Sequence, residues 1–167
     1  AYLEADSEFI SVSAGVLDAS ARRHLTVKAD HAGERSKSRQ IHKAIVSGSS
    51  VCEFDSQVFV QHTATQADSH QLSKHILLSD DARVYANPRL KIETDEVVCG
   101  HGATVGSLDA DALNYFASRG IPRSEAKKTL IQAFLSEAAH YGSDGGSDRM
   151  QERLTSALTE IFTKEQG

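Results

Sequence analysis

The sequence has little cysteine and no long apolar run, and each shortage excludes a class of protein. Two cysteines in 167 residues cannot form the disulfide framework of a small secreted domain, so reduced thiols are expected. No stretch approaches the ~18 apolar residues that a membrane-spanning helix needs, and the first residues lack the layout of a signal peptide. We therefore expect a cytoplasmic protein with no membrane partner.

Positive charge and familiar catalytic motifs are also scarce. Eighteen basic against 23 acidic residues give a net charge of -5, which argues against non-specific binding to nucleic acid. The basic segment RSKSRQIHK, residues 35–43, has no aromatic residue for base stacking, and we interpret it as a solvated loop or strand edge. There is no G-x-S-x-G, P-loop, H-E-x-x-H or C-x-x-C motif. No nucleic-acid partner is expected, and an enzyme is not favoured.

Short apolar or alternating runs fill the first hundred residues and predict an all-β region. Their polar faces are rich in Ser, Thr, His and Gln, as in QHTATQADSHQLSKH, and a coiled solenoid would expose such faces in stacked rows. We find no strict repeat, so the pattern leaves a sandwich and a β-solenoid both open. The runs are EFISVSAGVL, HLTVKAD, HKAIVSG, SSVCEF, SQVFVQH, HILLS, ARVYA and RLKIETDEVVCG.

Helical periodicity begins at Ser107, which divides the chain into a β core at 1–106 and a C-terminal helical region at 107–167. The first helix has an acidic first turn and stops at Gly120, and the second has Ser124 as its N-cap and stops at Gly142. The link SDGGSD leads to a terminal amphipathic helix. The predicted apolar faces are Leu108, Ala112, Tyr115 and Phe116, then Ala126, Leu130, Ala133, Phe134 and Tyr141, then Met150, Leu154, Leu158, Ile161 and Phe162.

The segment CGHGATVG, residues 99–106, places a thiol and an imidazole two positions apart. If the segment is a strand, Cys99 and His101 share one face and could address one metal or cluster, and the glycines would let backbone or a ligand approach closely. The parity of the preceding apolar residues places the pair on the less apolar face, unless the chain bends at 94–96.

Two ligands do not complete a zinc or iron-sulfur site, which usually takes four. The missing ligands must come from Cys52, a carboxylate, another histidine or a second chain. The alternative is a buried cysteine beside a surface histidine. We interpret the other histidines as ordinary exposed or hydrogen-bonded imidazoles: His24, His31, His42, His62, His70, His75 and His140.

The stretch from Ala82 to Ile121 resembles the C-terminal half of the SufB/SufD family of iron-sulfur cluster assembly proteins, and it is most similar to the SufD branch. Upstream segments extend the resemblance over residues 30–140, with Ser73 and His75 standing where many members have asparagine. The residues that carry it are Pro88, Leu90, Ile92, Asp95, Val97, Cys99, His101 to Gly106, Leu108, Asp109, Leu113, Tyr115 and Ser118 to Ile121.

The resemblance implies a right-handed parallel β-helix followed by a small C-terminal α-helical region, here as a C-terminal fragment of a longer protein. It implies a non-catalytic scaffold subunit that pairs with a SufB-like paralogue, binds a SufC-like ATPase, and assists iron acquisition and cluster formation. Cys99 and His101 match the position of a transient iron or nascent-cluster site shared with the partner. A homodimer is possible when the chain is isolated. The residues expected to bind the ATPase are Leu113, Tyr115, Phe116, Arg119, Gly120 and Ile121.

Two other functions stay open at this point. One is a small metal-dependent enzyme with Cys99, His101 and a carboxylate such as Glu93 around a single zinc ion. The other is a metal-free β-solenoid that pairs with a partner through its edge strands.

Overall fold

The fold is a parallel β-solenoid followed by helices, in a computed structural model that describes residues 1–141, 148–149, 152–156 and 158. All strand pairs are parallel, and successive strands alternate between one sheet of order β1-β3-β5-β7 and another of order β2-β4-β6-β8. The predicted fold class is confirmed. The elements are β1 Tyr2–Leu3, β2 Glu8–Leu17, β3 Arg22–His31, β4 Lys37–Val46, β5 Val51–Val60, β6 Ala67–Leu77, β7 Arg83–Ile92, β8 Val97–Gly106, α1 Ala110–Ser118, α2 Arg123–Ser136 and a 3₁₀ helix at Glu137–Tyr141.

Each strand pairs with the strand two places later in the chain, so one coil of the solenoid contains two strands and their corners. The register reveals a weak repeat of the pattern S-x-Q-x-x-K-x-I in β4 and β6. Ser38 pairs with Ser69, Gln40 with Gln71, Lys43 with Lys74 and Ile45 with Ile76. The sequence therefore contains a repeat after all, but it becomes evident only when the two strands are aligned coil upon coil.

The polar faces of these strands point into the solenoid, not to solvent as the sequence pattern predicts. Gln40 and Ser69 are each 0% exposed. Two pairs of these buried groups bond to each other: Ser38 Oγ lies 2.7 Å from Ser69 Oγ, and Ser56 Oγ donates to Gln40 Oε1 at 2.7 Å. Such pairing removes most of the cost of burying a hydroxyl or amide. The interior positions are polar at Ser38, Gln40 and His42 of β4, and at Ser69, Gln71, Ser73 and His75 of β6.

Two strand assignments from the sequence are wrong for the same reason. Residues 35–43 are not a solvated loop or edge, because 37–43 lie in β4, which has neighbours on both sides. The runs SSVCEF and SQVFVQH are not separate, since most of both belongs to the single strand β5. In the sequence, a polar residue between apolar ones suggests that a strand has ended. In this structure such residues continue the strand and point into the interior of the solenoid.

The corners between strands stack on one another, and residues with left-handed backbone let the chain turn at the equivalent position in successive coils. Asp6, Arg35 and Gln66 have φ of 59°, 55° and 59°, and each corner bonds to the next, as where Arg35 N–H donates to Thr65 O at 2.9 Å. At Gly48, with φ of 60°, a Cβ would lie 2.4 Å from Ala19 O. This corner therefore requires glycine for space as well as for backbone conformation.

The helices cover the outer face of the sheet that contains β4. Ile45 is 0% exposed and packs with Ile131 and Leu135 of α2. The same cluster includes Leu154 and Leu158, which are helical, as predicted. Met150, Ile161, Phe162 and Gly142, also named from the sequence, lie outside the described residues.

The helix signals were only partly predictive. Gly120 ends α1 with φ of 75°, but α2 has Pro122 as its N-cap, so the prediction of Ser124 is wrong. Tyr115 is 59% exposed and does not lie on the packing face of α1, where Leu113 is the buried residue. No helix in the described ranges combines the length and apolar character needed to cross a membrane.

A buried lysine joins the solenoid to the helices. The Lys43 side chain is fully buried, and its ammonium donates to Phe134 O at 2.9 Å and to a carboxylate oxygen of Glu137. Burial lowers the pKa of Lys43 even though Glu137 acts in the opposite direction. The hydrogen bond from Lys43 is also the main reason that the pKa of Glu137 lies below its usual value. The Glu137 side chain is 46% exposed, so only the lysine has lost access to water.

This asymmetry predicts unequal effects of removing the two partners. Glu137→Ala leaves a buried ammonium without its carboxylate and should lower the free energy of unfolding by about 3 kcal/mol. Lys43→Met should cost less, about 1 kcal/mol, because Glu137 can rehydrate. Denaturant unfolding followed by circular dichroism measures both.

The control is Lys74→Met, which removes a more exposed partner, 3.7 Å from the same carboxylate. It should cost at most about 1 kcal/mol. If Glu137→Ala is as mild as this control, the carboxylate is not what stabilises the buried ammonium.

Candidate functional site

Cys99 and His101 lie on β8, the last strand of its sheet, and their side chains share the inward face. The register pairs Cys99 with Ser69 and His101 with Gln71, both of which point into the solenoid. Cys99 packs against a buried cluster that includes Val58 and Val60, whereas Val98 is 64% exposed. The predicted common face is therefore present.

The expectation that this face is the less apolar one is wrong. Strand β7 ends at Ile92 and β8 begins at Val97 in the other sheet, so the chain turns between them. That turn, at 93–96, breaks the parity count that placed Cys99 and His101 on the less apolar face. Cys99 instead continues the interior column above Ser69.

The solenoid is open at this end among the described residues, because β8 has a neighbour on one side only. His101 is exposed and Cys99 is partly exposed, although the residues that precede them in the same interior columns are buried. An edge strand also leaves backbone N–H and C=O groups without ladder partners. The pair therefore occupies interior positions at a place where another molecule can reach them.

The Cys99 thiol is held in its neutral form. Burial raises its pKa, the negative charge of Asp68 adds to this effect, and a hydrogen bond with the backbone of Ser69 opposes it. Since metals bind the thiolate, a metal or cluster at Cys99 must displace the proton. Metal binding at Cys99 should therefore release a proton and become more favourable as the pH rises.

The ligand set at Cys99 and His101 is incomplete within the described part of the chain. The groups of three or more metal-binding side chains found there do not include either residue. Cys52 packs in a different cluster with Leu17 and Val46, and Glu93 is paired with Lys91 at 2.8 Å. Neither candidate named from the sequence joins the pair.

The glycines of CGHGATVG do not face the candidate ligand side. A Cβ at Gly100 would lie 3.5 Å from His70 Nδ1, and one at Gly102 would lie 3.6 Å from Leu72 Cδ1. Both are ordinary contacts on the outer face, so the chain itself does not require glycine here. Gly100 and Gly102 line a shallow groove together with His70, His101 and Tyr141.

The residues expected to bind a partner fall into two groups. Leu113 is 6% exposed and supports α1 from inside. Tyr115 and Arg119 lie at the surface, with the Arg119 guanidinium 5.3 Å from the centre of the Tyr115 ring. Phe116 is half-buried and meets Tyr115 edge to face at 6.4 Å. Gly120 is exposed and Ile121 is half-buried, and both lie just beyond the C-terminal end of α1.

A second group of potential ligands was missed from the sequence. His42, Cys52 and His75 are all buried, and their ligand atoms lie within 4.8 Å of one another. The sequence interpretation allowed His42 and His75 to be either exposed or hydrogen-bonded. Both are buried, with Cys52 Sγ 3.8 Å from His42 Nε2 and Ser73 Oγ 3.4 Å from His75 Nδ1, so only the exposed alternative is wrong. The signal that could have identified them is the repeat shared by β4 and β6, which puts both histidines on the parity of the buried Ser and Gln columns.

Comparison with known proteins identifies relatives of one kind. The profile of the family described as "SUF system FeS cluster assembly, SufBD core domain" matches residues 2–134. This range contains all eight strands, α1 and most of α2. The match thus covers both the open end at β8 and the surface of α1.

Individual relatives agree with that profile. The chain is 42% identical over 115 residues to "Protein ABCI7, chloroplastic" of Arabidopsis thaliana, covering 68% of this chain and 24% of the relative. It is 37% identical over 109 residues to the "Iron-sulfur cluster assembly protein SufD" of Escherichia coli, covering 65% and 26%. It is 36% identical over 112 residues to the Bacillus subtilis protein of the same description, covering 67% and 26%. The chain thus spans about a quarter of the length of these curated relatives.

The different exposure of the two cysteines predicts the order of their alkylation. Cys52 is 1% exposed, so iodoacetamide can reach it only when the solenoid opens locally, whereas Cys99 is partly exposed at the open end. Burial raises the pKa of both thiols, so both rates should increase with pH while Cys99 reacts first. Peptide mass spectrometry over a time course measures the order.

In denaturant the two rates should converge, and Cys99→Ser should abolish the fast reaction in the folded protein. Equal rates at both cysteines under native conditions would contradict the placement of Cys99 at an open end.

Proposed function

Because the chain belongs to the SufBD core family of the SUF iron-sulfur cluster assembly system, we propose that it acts as a SufD-like scaffold subunit. In this role it carries no catalytic site of its own and assists iron acquisition and cluster formation at a shared interface. The observation that carries the proposal is the pairing of Cys99 with His101 at the open end of the solenoid. There the ligand set is accessible and incomplete.

The cargo is iron or a nascent iron-sulfur cluster, bound transiently as substrate. His101 offers a ring nitrogen, and Cys99 offers a thiolate once the incoming metal has displaced its proton. Two ligands from one chain hold iron weakly, and the remaining ligands come from the partner. A weak half-site suits an assembly scaffold, because the cargo must be released after assembly.

The partner that completes the site is a SufB-like paralogue. The edge of β8 supplies unpaired backbone groups, and Val105 on the inward face of that strand is 47% exposed. A second solenoid end could continue the parallel sheet there and cover the interior columns. The same edge supports pairing with a second copy when the chain is alone, so a homodimer is the expected state without the paralogue.

The second partner is a SufC-like ATPase that binds the helical region. Tyr115, Phe116 and Arg119 form a surface cluster of the type that dominates protein interfaces, two aromatic rings beside an arginine. The helices meet the solenoid through Lys43 and Glu137, so movement of the helices on ATP binding would act on the sheet that ends in β8. We place this assembly in the cytoplasm, or in the plastid stroma in plastid-bearing organisms.

The zinc-enzyme alternative gains no support from the described residues. It needs a third ligand beside Cys99 and His101, but Glu93 is paired with Lys91 and lies in none of the groups of potential ligands there.

The shared site predicts that iron retention depends on the partner. The chain alone and its complex with a SufB-like partner would be reconstituted anaerobically with iron and sulfide. Iron should be retained only in the complex, and His101→Ala should remove most of it because the half-site loses its exposed ligand. Bound iron is measured by elemental analysis after desalting.

The matched control is His70→Ala, which removes another exposed histidine, on the outer face of the neighbouring strand. It should retain iron. Full iron on the lone chain, or unchanged iron in the His101→Ala complex, would refute the shared site.

The surface of α1 predicts a local effect on ATPase binding. Tyr115→Ala should weaken binding of a SufC-like ATPase by about 2 kcal/mol or more, as expected for an aromatic hot spot. Calorimetric titration of the folded variant gives the affinity. Deleting the helices is unsuitable for this test because it would expose Ile45 on the sheet.

Tyr2→Ala is the control, since Tyr2 is 65% exposed on β1, at the opposite end of the solenoid. It should leave the affinity unchanged. Equal affinities for Tyr115→Ala and the wild type would exclude the α1 surface as the docking site.

A further inference from the structure

The interior of the solenoid contains a cluster of metal-binding side chains that is separate from the open end. His42 on β4, Cys52 on β5 and His75 on β6 are 1%, 1% and 2% exposed. Their ligand atoms all lie within 4.8 Å of one another. Cys99 packs in a different part of the interior, around Val58 and Val60.

The separation of Cys52 from His42 fits the coordination of a single ion. Cys52 Sγ lies 3.8 Å from His42 Nε2. A zinc ion bound at ordinary zinc-sulfur and zinc-nitrogen lengths holds its sulfur and nitrogen ligands about 3.6–3.8 Å apart. The two atoms are therefore as far apart as they would be around one metal, with little movement required.

The two imidazole rings are held in place by neighbours outside the cluster. The His42 ring stacks on Phe54 with the ring centres 4.3 Å apart and the planes 19° from parallel. Ser73 Oγ lies 3.4 Å from His75 Nδ1, which leaves Nε2 of His75 directed elsewhere. A histidine fixed through one nitrogen and open at the other is the usual form of a metal ligand.

Buried nitrogen atoms in this cluster lack hydrogen-bond partners. Nε2 of His75 and Nδ1 of His42 have none. An unsatisfied buried polar atom costs about 1–3 kcal/mol, so such atoms are rare unless something else binds them. For His75 the free nitrogen is on a ring that belongs to the cluster, and a metal ion there would satisfy it.

The protonation states suit a metal as well. Burial, with smaller contributions from His75 and Arg23, lowers the pKa of His42 to about 3. Burial also lowers the pKa of His75 to about 4. Both rings are thus neutral near pH 7 and carry a free lone pair. Burial raises the pKa of Cys52, while the positive charge of Arg23 acts in the opposite direction and favours the thiolate.

We propose that His42, Cys52 and His75 form an internal site for one transition-metal ion of the borderline-to-soft class, represented by Zn²⁺. Two imidazoles and a thiolate exclude calcium and magnesium, which require oxygen ligands. Three protein ligands suit a trigonal ion, or leave one position of a tetrahedral ion to a small ligand. On binding, the Cys52 proton is released to solvent and the metal-sulfur bond forms without any change of oxidation state.

The role of the site is to join coils of the solenoid. Its ligands come from three consecutive strands in both sheets, so an ion at this position links β4, β5 and β6 to one another. This role is independent of cargo binding at Cys99 and His101 and does not rest on the proposed function.

The test uses the full chain, stripped of metal by a chelator, kept reduced, and titrated with Co²⁺. One equivalent should bind and produce the near-ultraviolet charge-transfer band of thiolate-ligated cobalt, and Zn²⁺ should abolish the band. Cys52→Ser should lose the band, while the matched variant Cys99→Ser should retain it. His75→Gln should weaken binding at least about tenfold, since even outer-shell changes at metal sites cost that much.

Circular dichroism shows whether each variant is folded, and the wild-type titration decides the question even if a variant does not fold. Zn²⁺ should also raise the melting temperature of the wild type and leave that of His75→Gln unchanged. Folded wild type that binds no Co²⁺ would overturn the proposal. A band that survives Cys52→Ser but is lost in Cys99→Ser would also overturn it, because the metal would then lie at the open end.

Discussion

Parallel stacking of one coil on the next is the constraint on which the rest of this structure depends. Each strand takes its backbone partners from the neighbouring coils, so an interior side chain lies above its counterpart one coil earlier. A polar residue can therefore be buried if the residue above or below it completes its hydrogen bond, as Ser38 and Ser69 do. Stacking thus permits an interior of serine, glutamine and histidine that a sandwich of two sheets would not readily satisfy.

Stacking also explains why the candidate functional residues lie where the coils stop. Cys99 and His101 occupy the same columns as buried polar residues, but no described coil covers them. Positions that are structural inside the solenoid become available for binding at its end. A partner that continues the stack would bury these side chains as every earlier coil is buried. That burial would favour association, and the strand register would fix the position of the partner at the shared site.

The helices are coupled to this stack through a charge and not only through apolar packing. Lys43 points outward from β4, is fully buried beneath α2, and contacts Glu137 and the backbone of Phe134. Apolar contacts such as Ile45 with Ile131 tolerate small sliding, whereas a buried ammonium loses stability when its acceptor moves away. This contact favours one position of the helices on the sheet.

The sequence by itself determined the β and helical parts, the stop at Gly120 and the common face of Cys99 and His101, because these depend on local periodicity and on backbone preferences. The family resemblance added the solenoid, which local periodicity could not separate from a sandwich. Only the tertiary structure decided which way the polar faces point, since a strand pattern specifies two faces but not which one meets water. The tertiary structure also brought His42, Cys52 and His75 together, and it placed the turn before β8 that puts Cys99 in the interior column. Those features arise from coil-to-coil register, and register joins residues about thirty positions apart, a distance at which no local pattern carries information.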